Sequence, residues 1–101
     1  MNDAQILSQA FESATKASGP RGHARAQDEL QRMFSDVPVE HLAQLYARAT
    51  ELADACYDVS DACRAGRLTE PEALASLAAR FPGFSAETYR QALSWGAFLT
   101  R

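Results

Sequence analysis

Between positions 42 and 63 the small or apolar residues Leu42, Leu45, Ala49, Leu52, Cys56, Val59 and Cys63 recur in alternating steps of three and four. That spacing lines all seven side chains along one stripe of a single helix. The flanking residues set its limits. Ser35 or Asp36 can cap the start, Pro38 suits a first turn where a missing N–H costs nothing, and Gly66 is a natural left-handed stop. At 1.5 Å per residue the helix predicted over 38–65 is about 40 Å long. A compact chain of this size has a radius of gyration of about 13 Å, so the helix crosses the molecule or projects beyond it.

Four shorter helices are predicted around it. Over 3–17, Ile6, Leu7, Ala10, Phe11 and Ala14 make an apolar face while Gln5, Gln9, Glu12 and Lys16 point outward. Ser18-Gly19-Pro20-Arg21-Gly22 reads as a loop, followed by a helix over 22–34 with Ala26, Leu30, Met33 and Phe34 inward. Thr69 and Glu72 have capping-box spacing and open a helix over 70–81, with Leu74, Leu77, Ala78 and Phe81 on one face. Pro82-Gly83 ends it. Ser85 to Thr88 caps the last helix, 85–99, which turns Tyr89, Ala92, Leu93, Gly96 and Leu99 inward, with Trp95 and Phe98 widening the apolar surface to one side. No stretch reads as a strand. The expected fold is all-α: one domain over 1–101, a compact bundle of about five helices around one long central helix.

A shift from 30 to 77 aligns Leu30, Phe34, Glu40 and Gln44 with Leu77, Phe81, Glu87 and Gln91. The shared shape is helix, Phe, tight turn, capped helix, which predicts two similar hairpins rather than a duplication. Phe81-Pro82-Gly83-Phe84, followed by Glu87 and Ala92-Leu93, resembles the short helical hairpin of ubiquitin-binding UBA and CUE domains. The resemblance covers less than a third of the chain.

Composition narrows the function more than the fold. The chain has 101 residues and is 47% hydrophobic, but much of that is alanine, which buries little area, so self-association along an apolar face would help it. Its alanine-rich composition fits a bacterial source. A net charge of −3 disfavours DNA, RNA and anionic membranes, and a basic or neutral protein is the easier partner. Seven residues apart on one helix, Cys56 and Cys63 are separated by about 10 Å, beyond the roughly 7 Å that a disulfide spans. Two unpaired thiols imply a reducing compartment, the cytoplasm. The opening MNDAQILSQAF has neither the basic segment nor the apolar run of a signal peptide, and no stretch is apolar enough to span a membrane.

Two features stand out as candidate contacts. Glu51, Asp54, Asp58 and Asp61 form an acidic row opposite the apolar stripe, with no Lys or Arg among them. Like charges at these spacings weaken a helix by a few tenths of a kcal/mol per pair, and a basic partner would relieve them. Trp95 and Phe98, with Leu99, form an aromatic patch near the end of the chain; tryptophan is enriched at interfaces. The most positive segment holds Arg21, Arg25 and Arg32, with His23, but Asp28 and Glu29 interrupt it.

Chemistry has less support. His23, His41, Cys56 and Cys63 are the soft metal ligands, and they lack paired ligand spacing, so no metal or cofactor is expected. Glu40-His41 is not a zinc-protease helix, because Gln44 stands where the second histidine belongs. The Gly19–Gly22 run lacks the lysine, hydroxyl and preceding strand of a phosphate loop.

The expectation is a small non-enzymatic protein-interaction module of inhibitor, immunity or adaptor type, monomer or homodimer. It would bind through Glu51, Asp54, Asp58, Asp61, Trp95 and Phe98. The alternative is a dimeric helical nucleic-acid-binding regulator using Arg21, Arg25 and Arg32.

Overall fold

The stripe predicted from the three-four spacing is the spine of the molecule. In the computed structural model, which describes residues 3–99, Leu42, Leu45, Ala49, Leu52, Cys56 and Val59 are buried and Cys63 is half-buried. They lie on the third of five helices: α1 (Asp3–Lys16), α2 (Gly19–Met33), α3 (Val39–Arg64), α4 (Glu70–Arg80) and α5 (Ala86–Leu99). The 26 residues of α3 extend about 39 Å, close to the 44 Å long dimension of the molecule. The helix therefore crosses the molecule without projecting from it. Each of the other four helices packs on it, α1 and α5 most extensively. Ile6, Leu7 and Phe11 of α1, Leu30 of α2, Leu77 of α4 and Tyr89 of α5 join the stripe in one shared core.

The helix ends follow the local chemistry with two corrections. Gly66, at φ +78°, ends α3 in a left-handed turn. Its N–H donates to the Cys63 carbonyl at 3.1 Å, and that of Arg67 to Ala62 at 2.9 Å, the paired bonds of a glycine-stopped helix. Thr69 and Glu72 form the expected reciprocal capping box at α4, and the Ser85 hydroxyl accepts the Thr88 N–H at 3.1 Å to open α5. The first correction concerns α2. The predicted loop at Gly19–Gly22 is its first turn, because Gly19 takes φ +68° and Pro20 is preset for the opening of a helix. The connection from α1 is only Ala17 and Ser18. The second is the start of α3, where neither Ser35 nor Asp36 caps. Pro38 occupies the cap position in an extended conformation, with no side-chain cap bond, and its carbonyl accepts the Leu42 N–H at 3.1 Å.

Two hinge points fix the α5 side. The Tyr89 hydroxyl donates to the Phe81 carbonyl at 2.6 Å and accepts the Phe84 N–H at 3.3 Å, while Arg48 of α3 donates to the Pro82 carbonyl. The α4–α5 turn is thus fastened inward, with Phe84 buried. Further along, Gly96 brings the backbones of α5 and α3 together over Cys56 and Ser60, and the buried Ser60 hydroxyl donates to the Leu93 carbonyl at 3.0 Å. The aligned Phe34 and Phe81 occupy equivalent places. Each ends its helix just beyond the last turn, with its N–H bonded to the carbonyl of Leu30 or Leu77.

Candidate interaction surface

The acidic row and the aromatic patch meet on one side of the molecule. Glu51, Asp54, Asp58 and Asp61 are all exposed, opposite the buried stripe. Asp61 is partly neutralised by Arg67, which reaches back from beyond the end of α3 to within 3.6 Å. Among the described residues no cation lies within ion-pair distance of Glu51, Asp54 or Asp58. The repulsion along the row is therefore relieved at its C-terminal end alone.

On α5, Trp95 is half-buried against the core and stacks on Phe98, with ring centres 5.6 Å apart and planes within 17°. Phe98 is 54% exposed and Leu99 43%, so Leu99 does not turn inward as its position in the pattern predicts. Met33, at 54% exposed, departs from the inward face of α2 in the same way. Each is the final residue of its helix.

The Trp95 ring forms a wall common to two grooves. One, of about 650 Å³, runs between α1 and α5 past Phe11, Thr15, Glu87, Arg90 and Phe98. The other, of about 340 Å³, lies among α1, α3 and α5, lined by Ala14, Thr50, Ala53, Asp54, Tyr57 and Leu99, with His23 of α2 at its edge. Asp54 of the acidic row and Trp95 of the aromatic patch thus face the same groove. Tyr57, 47% exposed, joins them although its position among acidic residues gave no reason to single it out. The available signal was its place three residues after Asp54, an aromatic on an otherwise charged face.

Side chains behind this surface are fixed by hydrogen bonds. His23 Nδ1 and the Tyr46 hydroxyl are 2.6 Å apart, and burial pushes the phenol upward from its ordinary value. Beneath the groove, Cys56 is buried, and burial, with a smaller push from the Asp54 charge, raises its thiol to about 11. A thiol so held is a packing group and not a nucleophile. His41 pairs with Asp3 of α1 at 3.0 Å and not with its neighbour Glu40, tying the start of α1 to the start of α3. Among the described residues no three His, Cys, Asp or Glu side chains converge as metal ligands, and no helix is long and apolar enough to cross a membrane.

The basic segment lies elsewhere. Arg21, Arg25 and Arg32 are exposed on α2. Arg21 and Arg25 line a groove of about 460 Å³ against α1 that also contains Glu12 and Glu29, and Glu12 already pairs with Lys16 at 3.1 Å. The arginines share their groove with carboxylates, unlike the unbroken positive strip that phosphate backbones select.

No family model, curated protein or solved structure matches this chain. The likeness of the Phe81–Leu93 segment to UBA and CUE domains stays local, and the inward fastening of that turn leaves its Phe84 ring in the core.

Proposed function

We propose that this protein acts by binding another protein, on the surface where the acidic face of α3 meets the aromatic end of α5. The observation that carries the reading is the groove shared by Asp54, Tyr57, Trp95 and Leu99. Partly exposed large apolar side chains beside a charged edge have the make-up of an interface, an aromatic centre with a polar rim. In a chain so poor in large side chains, spending them half outside the core is a cost that binding would offset. The acidic edge favours a basic partner. Inhibitor, immunity and adaptor roles all fit a small bundle that works by docking, and two free thiols suit a reducing, cytoplasmic setting. The alternative, a dimeric nucleic-acid-binding regulator, is weakened by the carboxylates that share a groove with Arg21 and Arg25.

The test is capture from an extract of the source cells on wild-type protein, on an Asp54→Lys/Asp58→Lys variant and on Phe98→Ser, each checked for native helicity by circular dichroism. The expected result is a protein retained by the wild type and lost from both variants. Retention unchanged in both folded variants refutes the reading.

A further inference from the structure

We infer that the occupant of the groove among α1, α3 and α5 is a basic amphipathic helix supplied by the partner, an inference that rests on the protein-binding reading above. The described residues contain no strand, so no sheet edge is on offer for an extended peptide to pair with, and recognition falls to side chains. On the α3 side the groove is bordered by Thr50, Ala53, Asp54 and Tyr57, at i, i+3, i+4 and i+7. This is the ridge spacing against which another helix packs, and it extends about 10 Å, or two turns. Thr50 and Ala53 are small and admit a close approach. Tyr57, Trp95 and Leu99 supply the apolar wall.

Charge then selects the sign of the occupant. Asp54 faces the groove and Asp58 stands one turn further along the exposed side of α3, neither with a cation within ion-pair distance among the described residues. A helix that lays an apolar stripe on Trp95 and Leu99 and carries Lys or Arg beside that stripe brings opposite charge to both carboxylates. An acidic helix of the same shape meets repulsion instead, which is how complementary charge discriminates between partners. The chain's own basic helix is a poorer match, because Asp28 and Glu29 lie among Arg21, Arg25 and Arg32.

The chain contains a single tryptophan, which borders both this groove and the one between α1 and α5, so its fluorescence reports binding at either and the Asp54→Lys/Asp58→Lys variant assigns a change to this one. The probe is a synthetic tryptophan-free peptide about five turns long, with leucines at i, i+3, i+4 and i+7 and lysines flanking them; the control carries glutamate for lysine. The expected result is a saturable change in Trp95 emission with the lysine peptide and none with the glutamate peptide. Asp54→Lys/Asp58→Lys, with native helicity, should weaken the lysine peptide about tenfold or more. Equal binding of the two peptides, undiminished binding to the double variant, or no binding of the lysine peptide overturns the inference. A Trp95 emission that changes on dilution of the protein alone also overturns it, by assigning the groove to a second copy. If the lysine peptide fails while capture of a native partner still depends on Asp54 and Asp58, this inference falls and the protein-binding reading stands. If capture is also indifferent to those residues, both fall.

Discussion

Replacing Gly96 with alanine tests the packing that holds the aromatic end of α5 in place. A methyl at position 96 would run into the Cys56 carbonyl oxygen and the Ser60 hydroxyl, and would come to 2.8 Å from the Cys56 carbonyl carbon. Carbon atoms in contact prefer about 3.5–4.0 Å, so α5 has to withdraw from α3 by about 1 Å. Overpacking of this kind costs about 1–3 kcal/mol. Withdrawal also stretches the Ser60–Leu93 hydrogen bond, now 3.0 Å, whose loss costs about 1 kcal/mol. Against this, alanine is the better helix former by about 1 kcal/mol. The balance is a net destabilisation of about 1–3 kcal/mol, or roughly 4–8 °C in Tm for each kcal/mol in a chain of this size. Urea unfolding followed by circular dichroism measures it, with Ser94→Ala on the exposed side of α5 as a control expected within about 0.5 kcal/mol of wild type. Adding Ser60→Ala removes one of the two obstructing groups, so the double variant should lose less than the sum of the single losses. The sign decides the matter: a Gly96→Ala protein as stable as wild type, or more so, refutes the close crossing, because propensity alone predicts a gain.

Three further predictions concern titration and thiol chemistry. Because burial raises the Cys56 thiol from 9.0 to about 11, and the buried Tyr46 phenol shifts the same way, the folded state holds these protons more tightly than the unfolded chain does. Their contribution is fully present below about pH 9 and is lost as the pH rises through the folded values. The urea midpoint should therefore fall between about pH 8 and about pH 10.5, and a flat profile would contradict the burial. In native protein the half-buried Cys63 should react with a thiol reagent while Cys56 reacts only on unfolding; equal rates would place Cys56 at the surface. At the other end of the scale, hydrogen bonds from the Thr69 N–H and hydroxyl hold the Glu72 carboxyl below its usual 4.5. Its contribution is present above that value and disappears as the pH falls through the lowered one, so the acid slope of stability just below about pH 4.5 should be shallower in Glu72→Gln. An unchanged slope would remove the capping box from the account.

Periodic and local features were readable from the chain, and features assembled from distant segments were not. The α3 stripe was legible because its spacing runs unbroken over six steps and needs no knowledge of what covers it. Gly66, Thr69 and Ser85 announced their turns because each acts on atoms within a few residues. Gly19 to Gly22 misled because glycine and proline mark a loop and the opening of a helix alike, and the choice depended on how closely α2 folds back on α1. The backbone of Ala17 lies within 3.3 Å of where a side chain on Gly22 would begin, a contact no local pattern contains. Met33 and Leu99 keep the spacing of the inward positions before them, yet both are exposed at the ends of their helices. The surface was half visible. The acidic row and Trp95 could each be named, but Tyr57, and the meeting of α1, α3 and α5 that places Asp54 beside Trp95, depend on packing between segments distant in the chain.

The most direct test of the account is amide and indole chemical-shift mapping of isotope-labelled protein titrated with the lysine-flanked helical peptide. The account predicts shifts centred on the Trp95 indole N–H and on the amides of Ala53, Asp54, Tyr57 and Leu99, with Arg21, Arg25 and Arg32 on α2 left undisturbed. Shifts centred instead on Arg21, Arg25 and Arg32, or spread evenly over the chain, would contradict it.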